Sequence, residues 1–376
     1  MTDEEFNTYV APSLSSSPHP SSDCPLPYSL TPAGDGHSKW ERVILLTGGC
    51  GFIGSHVVNL LVNKYPAYKV ICFDKLDYCA SLKNISPSIG KPNFKFVKGD
   101  ILSLDLVLYV IHSERVDTIM HFAAQSHVDN SFGNSIHFTK TNVLGTHVLC
   151  EAALKSNLRL FLHVSTDEVY GEILQGRDDA NEETVLEPTN PYASSKAGAE
   201  FVVKSYFRSF HLPVIITRGN NVYGPGQYPE KIIPKFIHLL QRGKPLPLHG
   251  DGSHSRHFLY VEDCACAFDI ILHKGTVGEV YNIGTQSEIS NNQVALDLLS
   301  IFQLSDKEKE MVTYVEDRKF NDTRYAIDSE KVKQLGWKPR VGWMEGLRRT
   351  VDFFNNVPDY WPQPEEALQA HPNIKL

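Results

Sequence analysis

The chain of 376 residues contains no apolar run approaching the ~20 residues that span a bilayer, so nothing in it reads as a membrane anchor. Its N-terminus carries Asp3, Glu4 and Glu5 and lacks a basic stretch followed by an apolar one, so it does not read as a signal peptide. Positive charge is also scarce: 36 Lys and Arg stand against 44 Asp and Glu, for a formal net charge of −8. A broad nucleic-acid surface needs clustered cations to neutralise phosphates, and this balance leaves room only for a local basic pocket the size of one pyrophosphate. The seven cysteines, at positions 24, 50, 72, 79, 150, 264 and 266, show no paired metal-ligand spacing. Such usage fits a reducing compartment. A cytoplasmic protein with no membrane, nucleic-acid or metal partner is the expectation, and the Asn-x-Thr triplet at Asn321 is then an unused sequon.

Hydrophobic residues make up 41% of the chain, enough for one large α/β domain and a smaller companion. Residues 1–38 are rich in Ser and Pro without hydrophobic periodicity. Such a segment buries too little apolar surface to offset its ordering entropy, so a disordered leader is expected. Beyond it, short apolar runs at 42–47, 69–73, 94–97, 118–122, 161–165 and 214–217 read as buried strands, with helical stretches between most of them, the first at 52–64. Alternating β and α elements imply a Rossmann-like doubly wound parallel sheet. After about residue 221 the loops fill with Gly and Pro. The expected partition is a dinucleotide-binding domain over 39–221, with later strands returning to it near 258–283. An interleaved, smaller C-terminal substrate-binding part then covers 222–356, and a Pro-rich tail covers 357–376.

The first βα turn reads Thr47-Gly-Gly-Cys-Gly-Phe-Ile-Gly54, with Gly48, Gly51 and Gly54 spaced as GxxGxxG. Glycine allows a tight turn and close approach to a pyrophosphate, which a helix N-terminus holds through its free N–H groups and dipole. Asp74 follows about 20 residues on, where a carboxylate accepts from the adenosine ribose hydroxyls and repels a 2′-phosphate; NAD is therefore expected rather than NADP. Capping of the next turn is a compatible second role. Asp100 and Ile101 are placed beside the adenine, and the small residues after His121 let backbone approach the cofactor.

Tyr192 and Lys196 stand as Tyr-x-x-x-Lys at the start of a helix opened by Pro191, which puts both on one face. A phenol is a poor base at neutral pH, but an adjacent ammonium and a positive nicotinamide ring both favour phenolate. The pair is thus a proton acceptor for an alcohol being oxidised.

GxxGxxG with Tyr-x-x-x-Lys resembles the extended short-chain dehydrogenase/reductases over roughly residues 40–355. Within them, Thr166 followed by Asp167 and Glu168 at a strand end is similar to the nucleotide-sugar 4,6-dehydratases, since epimerases and decarboxylases carry small or hydroxyl residues there. The resemblance implies that Tyr192 removes the O4 proton as the C4 hydride passes to NAD, with Thr166 bonding O4 and Lys196 also holding the nicotinamide ribose. Glu168 takes the C5 proton, and Asp167 protonates the departing C6 hydroxyl. Two carboxyls in different environments can serve as one acid and one base. The cofactor set it implies also includes Phe52, Ile53, Lys75, Phe122, Ala123, Ala124, Ser126, Thr141 and Asn221.

For the nucleotide sugar, the resemblance implies contacts from Ser126, Thr166, Asn220, Lys231, Pro247, His249 and Arg256, the last gripping pyrophosphate. Asn282, Arg318 and Asn321 are placed at ribose or phosphate. Asn321, with the stretches around Asp74, Val128, Thr217 and Gly250, is more similar to the UDP-glucose 4,6-dehydratase portion of rhamnose synthases than to bacterial dTDP-glucose enzymes. UDP-glucose is the expected substrate and dTDP-glucose the alternative. A sugar-nucleotide 4-epimerase and a non-catalytic NAD-binding regulator compete with this reading. The two acids oppose the first, and intact Tyr192 and Lys196 oppose the second. Family members dimerise through paired helices, here near 143–154 and 197–207, which makes a homodimer the expected assembly.

Overall fold

The computed structural model describes residues 39–174, 176–317, 322, 324–362 and 364–370. The leader 1–38, Arg318, Asn321 and the end of the tail lie outside them.

Among the described residues, twelve strands, numbered β1–β12 in chain order, carry the architecture. Those of the large sheet are β1 (Arg42–Thr47), β2 (Tyr68–Asp74), β3 (Phe94–Lys98), β4 (Thr118–His121), β5 (Leu160–Thr166), β6 (Val214–Gly219) and β10 (Val280–Ile283). They form one seven-stranded sheet in the order β10-β6-β5-β4-β1-β2-β3, with every pairing parallel. The alternation along β1 shows why both faces are covered. Ile44 and Leu46 enter a core shared with the Phe52–Lys64 and Val261–Lys274 helices, whereas Val43 and Leu45 enter a second core with the Leu104–Glu114, Gly145–Lys155 and Pro191–Phe210 helices. Side chains alternate across a strand, so a strand apolar throughout feeds two layers and cannot lie at the protein surface. β3, only partly buried, is one edge and β10 the other.

The bounds of β1 match the sequence expectation, and the other strands differ from it by one or two residues; ladder pairing carries non-hydrophobic end residues such as Asp74 and Gly219 into the sheet. The apolar helix expected from 143 begins at Gly145 and is preceded by a π-helical segment, Thr139–Leu144. That insertion turns Asn142 inward, where it is buried.

The smaller sheets come from the second half of the chain. β7 (Asn221–Tyr223), β9 (Ser255–Tyr260) and β11 (Glu288–Ser290) make a three-stranded sheet, and β8 (Leu246–His249) pairs in parallel with β12 (Val312–Val315). A third core, including Phe236, Leu248, Tyr260, Leu298 and Phe354, lies beneath them. Functional side chains meet at the carboxyl ends of β1, β2, β4, β5 and β6, the edge at which ligands of such sheets bind. No described helix is long and apolar enough to cross a membrane.

Candidate active site

Two adjoining cavities open at that edge. The larger, of about 290 Å³, is lined by every residue expected to hold the cofactor: Gly48, Gly51, Phe52, Ile53 and Gly54 from the first turn; Asp74, Lys75, Asp100 and Ile101; Phe122, Ala123, Ala124, Ser126 and Thr141; Asn221, and Tyr192 with Lys196. Gly48 has φ +70°, and a Cβ there would lie 2.5 Å from the Ala123 nitrogen. A Cβ on Gly54 would lie 2.3 Å from the Gly48 carbonyl oxygen. Both positions therefore need glycine. Gly51 caps the Phe52–Lys64 helix without any side-chain hydrogen bond, leaving the first turn's N–H groups to a ligand.

Asp74 ties this turn to β2. Its carboxylate accepts from the Cys50 and Leu76 N–H groups at 2.9 and 2.8 Å while remaining at the cavity wall. Burial pushes this carboxyl up, and the two hydrogen bonds act against that shift. Lys75 pairs with Asp77 at 2.8 Å, and Asp77 accepts from Gln125 Nε2 at 2.7 Å. Asp77, Cys79, Gln125 and Glu230 line the cavity as well, and sequence reasoning missed them.

At the end of β5 the chain turns through Asp167–Tyr170, with Thr166 Oγ1 accepting from the Glu168 N–H at 3.3 Å. The Asp167 carboxylate accepts from Thr166 Oγ1 at 3.2 Å and from Asn220 Nδ2 at 2.8 Å. Burial raises the Asp167 carboxyl to about 7; the Asn220 bond opposes the rise and the Glu168 charge adds to it. Glu168 accepts from Asn190 Nδ2 at 3.1 Å. Burial raises its carboxyl too, against the Asn190 bond and the charges of Arg256 and Lys231. The two acids thus differ in their partners, which is what assignment as one acid and one base requires.

Asn190 also caps the Pro191–Phe210 helix through Ala193 N–H, so one side chain fixes both Glu168 and the helix that carries Tyr192. Tyr192 is buried and lines the first cavity together with Thr166. Burial and then the Glu168 charge push its phenol up, opposite to the shift expected beside the Lys196 ammonium. Lys196 Nζ donates to the Val164 carbonyl at 2.6 Å, and burial lowers this ammonium to about 8 against the attraction of Glu200. The inward-turned Asn142 grips the Gln125 backbone N–H and C=O at 2.8 and 2.9 Å and reaches Ser195 Oγ at 2.8 Å. It therefore joins the cofactor floor to the Tyr192 helix.

The second cavity, of about 170 Å³, shares Glu168, Asn221, Gln227, Glu230 and Lys231 with the first. Ser126, Thr166 and Asn220 line the first cavity, Lys231 lines both, and Pro247, His249 and Arg256 line the second. Lys231 Nζ donates to the Ser126 carbonyl at 2.9 Å, and Arg256 lies over the Tyr325 ring at 4.8 Å. Asn282 reaches neither cavity. Fully buried, it accepts from Tyr170 Oη at 2.8 Å and gives its amide to the Ala180 and Asp328 carbonyls. Its place in β10 turns it towards these backbone groups, which corrects the expected contact with ribose or phosphate. Arg318 and Asn321 lie outside the described residues. Asn190, Asp322 and Tyr325, which sequence reasoning did not assign, line the second cavity.

A doubly wound sheet with a glycine-rich first turn and a buried Tyr192–Lys196 pair defines the extended short-chain dehydrogenase/reductase architecture. More particularly, the chain belongs to the GDP-mannose 4,6 dehydratase family, whose model matches residues 45–350. It is 56% identical over 335 residues to a trifunctional UDP-glucose 4,6-dehydratase/UDP-4-keto-6-deoxy-D-glucose 3,5-epimerase/UDP-4-keto-L-rhamnose-reductase of Arabidopsis thaliana, a match covering 89% of this chain and 50% of that protein. The chain thus spans about half the length of the plant relatives it matches. It is 49% identical to the dTDP-D-glucose 4,6-dehydratase of Mus musculus over 89% of this chain and 94% of the mouse protein. A crystal structure of dTDP-glucose 4,6-dehydratase from Streptomyces venezuelae with NAD bound superposes with a TM-score of 0.82 at 40% identity, over 86% of this chain and 100% of that one.

Proposed function

We propose that this protein is a UDP-glucose 4,6-dehydratase using NAD, forming UDP-4-keto-6-deoxyglucose and water on a route to UDP-rhamnose. The observation that carries the reading is a pair of acids where the two cavities meet, Asp167 buried and Glu168 partly buried. One is held near neutrality by burial and Asn220, the other is bound to Asn190, and both neighbour Tyr192. An epimerase needs a base at O4 but has no use for an acid and a base at C6 and C5.

The first cavity fits the cofactor. Its turn has no room for a Cβ at Gly48 or Gly54, its helix N-terminus presents free N–H groups, and Asp74 lines its wall, where a carboxylate would accept from the ribose hydroxyls. When bound, oxidised NAD supplies a hydride acceptor for C4, later a hydride donor for C6, and a positive ring that favours phenolate. Tyr192 takes the O4 proton, with Thr166 lining the same cavity. Lys196, fixed by the Val164 carbonyl, holds the nicotinamide ribose. Once C4 is a ketone the C5 proton is acidic, and Glu168 removes it. Asp167 gives its proton to the C6 hydroxyl, which leaves as water; Glu168 then returns its proton to C5. The proton taken by Tyr192 returns to Asp167 through solvent, so atoms and electrons balance, and the cofactor ends as it began.

The higher identity to the plant UDP-glucose enzymes supports UDP over dTDP, and dTDP-glucose is the second substrate to test. Free thiols at the described cysteines support a cytoplasmic location. A homodimer through the Gly145–Lys155 and Pro191–Phe210 helices is supported by exposed Leu144 and Phe201 beside or on them, at 48% and 60%. Incubation with either sugar, followed by mass spectrometry, tests the chemistry, and sedimentation tests the assembly.

A further inference from the structure

Past the Trp343–Asn356 helix the chain lies beyond the residues 45–350 that the family model matches, yet it is fastened at three places that bear on both cavities. At its start, Tyr360 Oη donates to Asn84 Oδ1 at 2.6 Å, and Asn84 Nδ2 donates to the Cys50 carbonyl inside the glycine-rich turn at 2.8 Å. Next, buried Trp361 donates from Nε1 to the Gln227 carbonyl at 3.0 Å, and Gln227 lines both cavities. At the far end, Lys235 Nζ donates to the Gln369 carbonyl and His249 Nε2 to the Ala370 carbonyl, each at 2.9 Å. Ala367 and Leu368 are buried between these points, and Ala370 itself lines the second cavity.

Which part of the ligand meets this wall follows from connectivity. Glu168 belongs to both cavities, so the reacting sugar lies at their junction. Pro247, His249 and Ala370 belong to the second cavity alone. A nucleotide sugar runs from sugar through pyrophosphate to nucleoside, so its nucleoside end points away from Glu168 towards them. We propose that residues 364–370 form a binding element for the nucleoside end of the substrate, held in place by Lys235 and His249. The inference rests on the nucleotide-sugar reading above. A contact made equally in the ground and transition states lowers KM and leaves kcat alone.

The test begins with amide hydrogen exchange on the full chain with and without UDP, after calorimetry has established that UDP binds. Slower exchange over 364–370 in the presence of UDP is expected. Bound UDP with unchanged exchange there overturns the binding element, whereas failure of UDP to bind overturns the nucleotide-sugar reading beneath it. A chain ending at Pro362 gives a second measurement. The Kd for UDP and the KM for UDP-glucose should both rise about tenfold with kcat retained, and unchanged values contradict the proposal. If that shorter chain does not fold, the exchange result on the full chain decides.

Discussion

Asn220 donates through Nδ2 to the Asp167 carboxylate at 2.8 Å, while its own oxygen accepts from the Thr285 N–H at 3.0 Å. The amide is therefore locked in one orientation and presents only a donor to Asp167. A donor stabilises carboxylate over carboxylic acid, so Asn220 sets how readily the proposed acid gives up its proton.

Replacement of Asn220 by Ala removes that stabilisation and raises the Asp167 carboxyl above its value of about 7. The proposed mechanism needs Asp167 protonated, so the alkaline limb of the pH–kcat profile moves upward. The shift is about one to two pH units, because a hydrogen bond to a charged group contributes about 1.5–3 kcal/mol and one unit corresponds to about 1.4 kcal/mol. A profile that does not move, or moves downward, contradicts Asp167 as the acid.

In the unaltered protein the profile should be bell-shaped. Activity declines as pH rises through the region near 7 where Asp167 loses its proton. It declines again in acid as Glu168, whose carboxyl burial raises above the usual range, becomes protonated. The acids interact, so the two limbs report the pair. Initial rates across pH with saturating UDP-glucose measure both.

Tyr192→Phe keeps the ring and removes the proton acceptor. A fall in kcat of about a hundred- to ten-thousandfold is expected, with NAD still retained on purification because the glycine-rich turn and Asp74 are untouched. Gly54→Ala should do the reverse to binding. Its Cβ would stand 2.3 Å from the Gly48 carbonyl oxygen, so the turn must open and NAD affinity should drop at least about tenfold, the order of a 1.4 kcal/mol loss. Cofactor content by absorbance and by calorimetry separates the two variants.

Stability has its own test beneath the site. Arg218 meets Glu200 through Nε and Nη2 at 3.0 and 2.7 Å, both side chains being fully buried. Burial pushes the Glu200 carboxyl up, but the Arg218 hydrogen bonds and charge outweigh it and leave it below the usual value. The pair's contribution is therefore present above the unfolded-state carboxylate pKa and is lost as pH falls through the lower folded value. Glu200→Ala leaves a buried guanidinium without its partner and should cost about 3–5 kcal/mol, read as a lower denaturation midpoint at neutral pH.

Much of the site was legible because its chemistry is local in sequence. The glycine spacing, Tyr192 with Lys196, and Thr166-Asp167-Glu168 each occupy one turn or one strand end, and strand alternation places strand ends at one edge. Long-range partners were not legible. Asn220 lies 53 residues from Asp167, and nothing in its own segment says which carboxylate it serves. The inward turn of Asn142 depends on a π-helical insertion that apolar periodicity does not report. Asn282 shows the opposite failure, a polar residue at a plausible strand end whose side chain is consumed by Tyr170, Ala180 and Asp328. Asn190, directly before Pro191-Tyr192, carried a readable signal as a helix cap, but its bond to Glu168 emerges only once β5 and the helix pack together.

The central claim is that water leaves the sugar without net oxidation. Purified protein incubated with UDP-glucose, and separately with dTDP-glucose, then analysed by mass spectrometry and absorbance, tests it most directly. A product lighter by one water, formed faster from UDP-glucose, is expected, with no accumulation of NADH. A product of unchanged mass that co-elutes with UDP-galactose would contradict it and make the protein an epimerase.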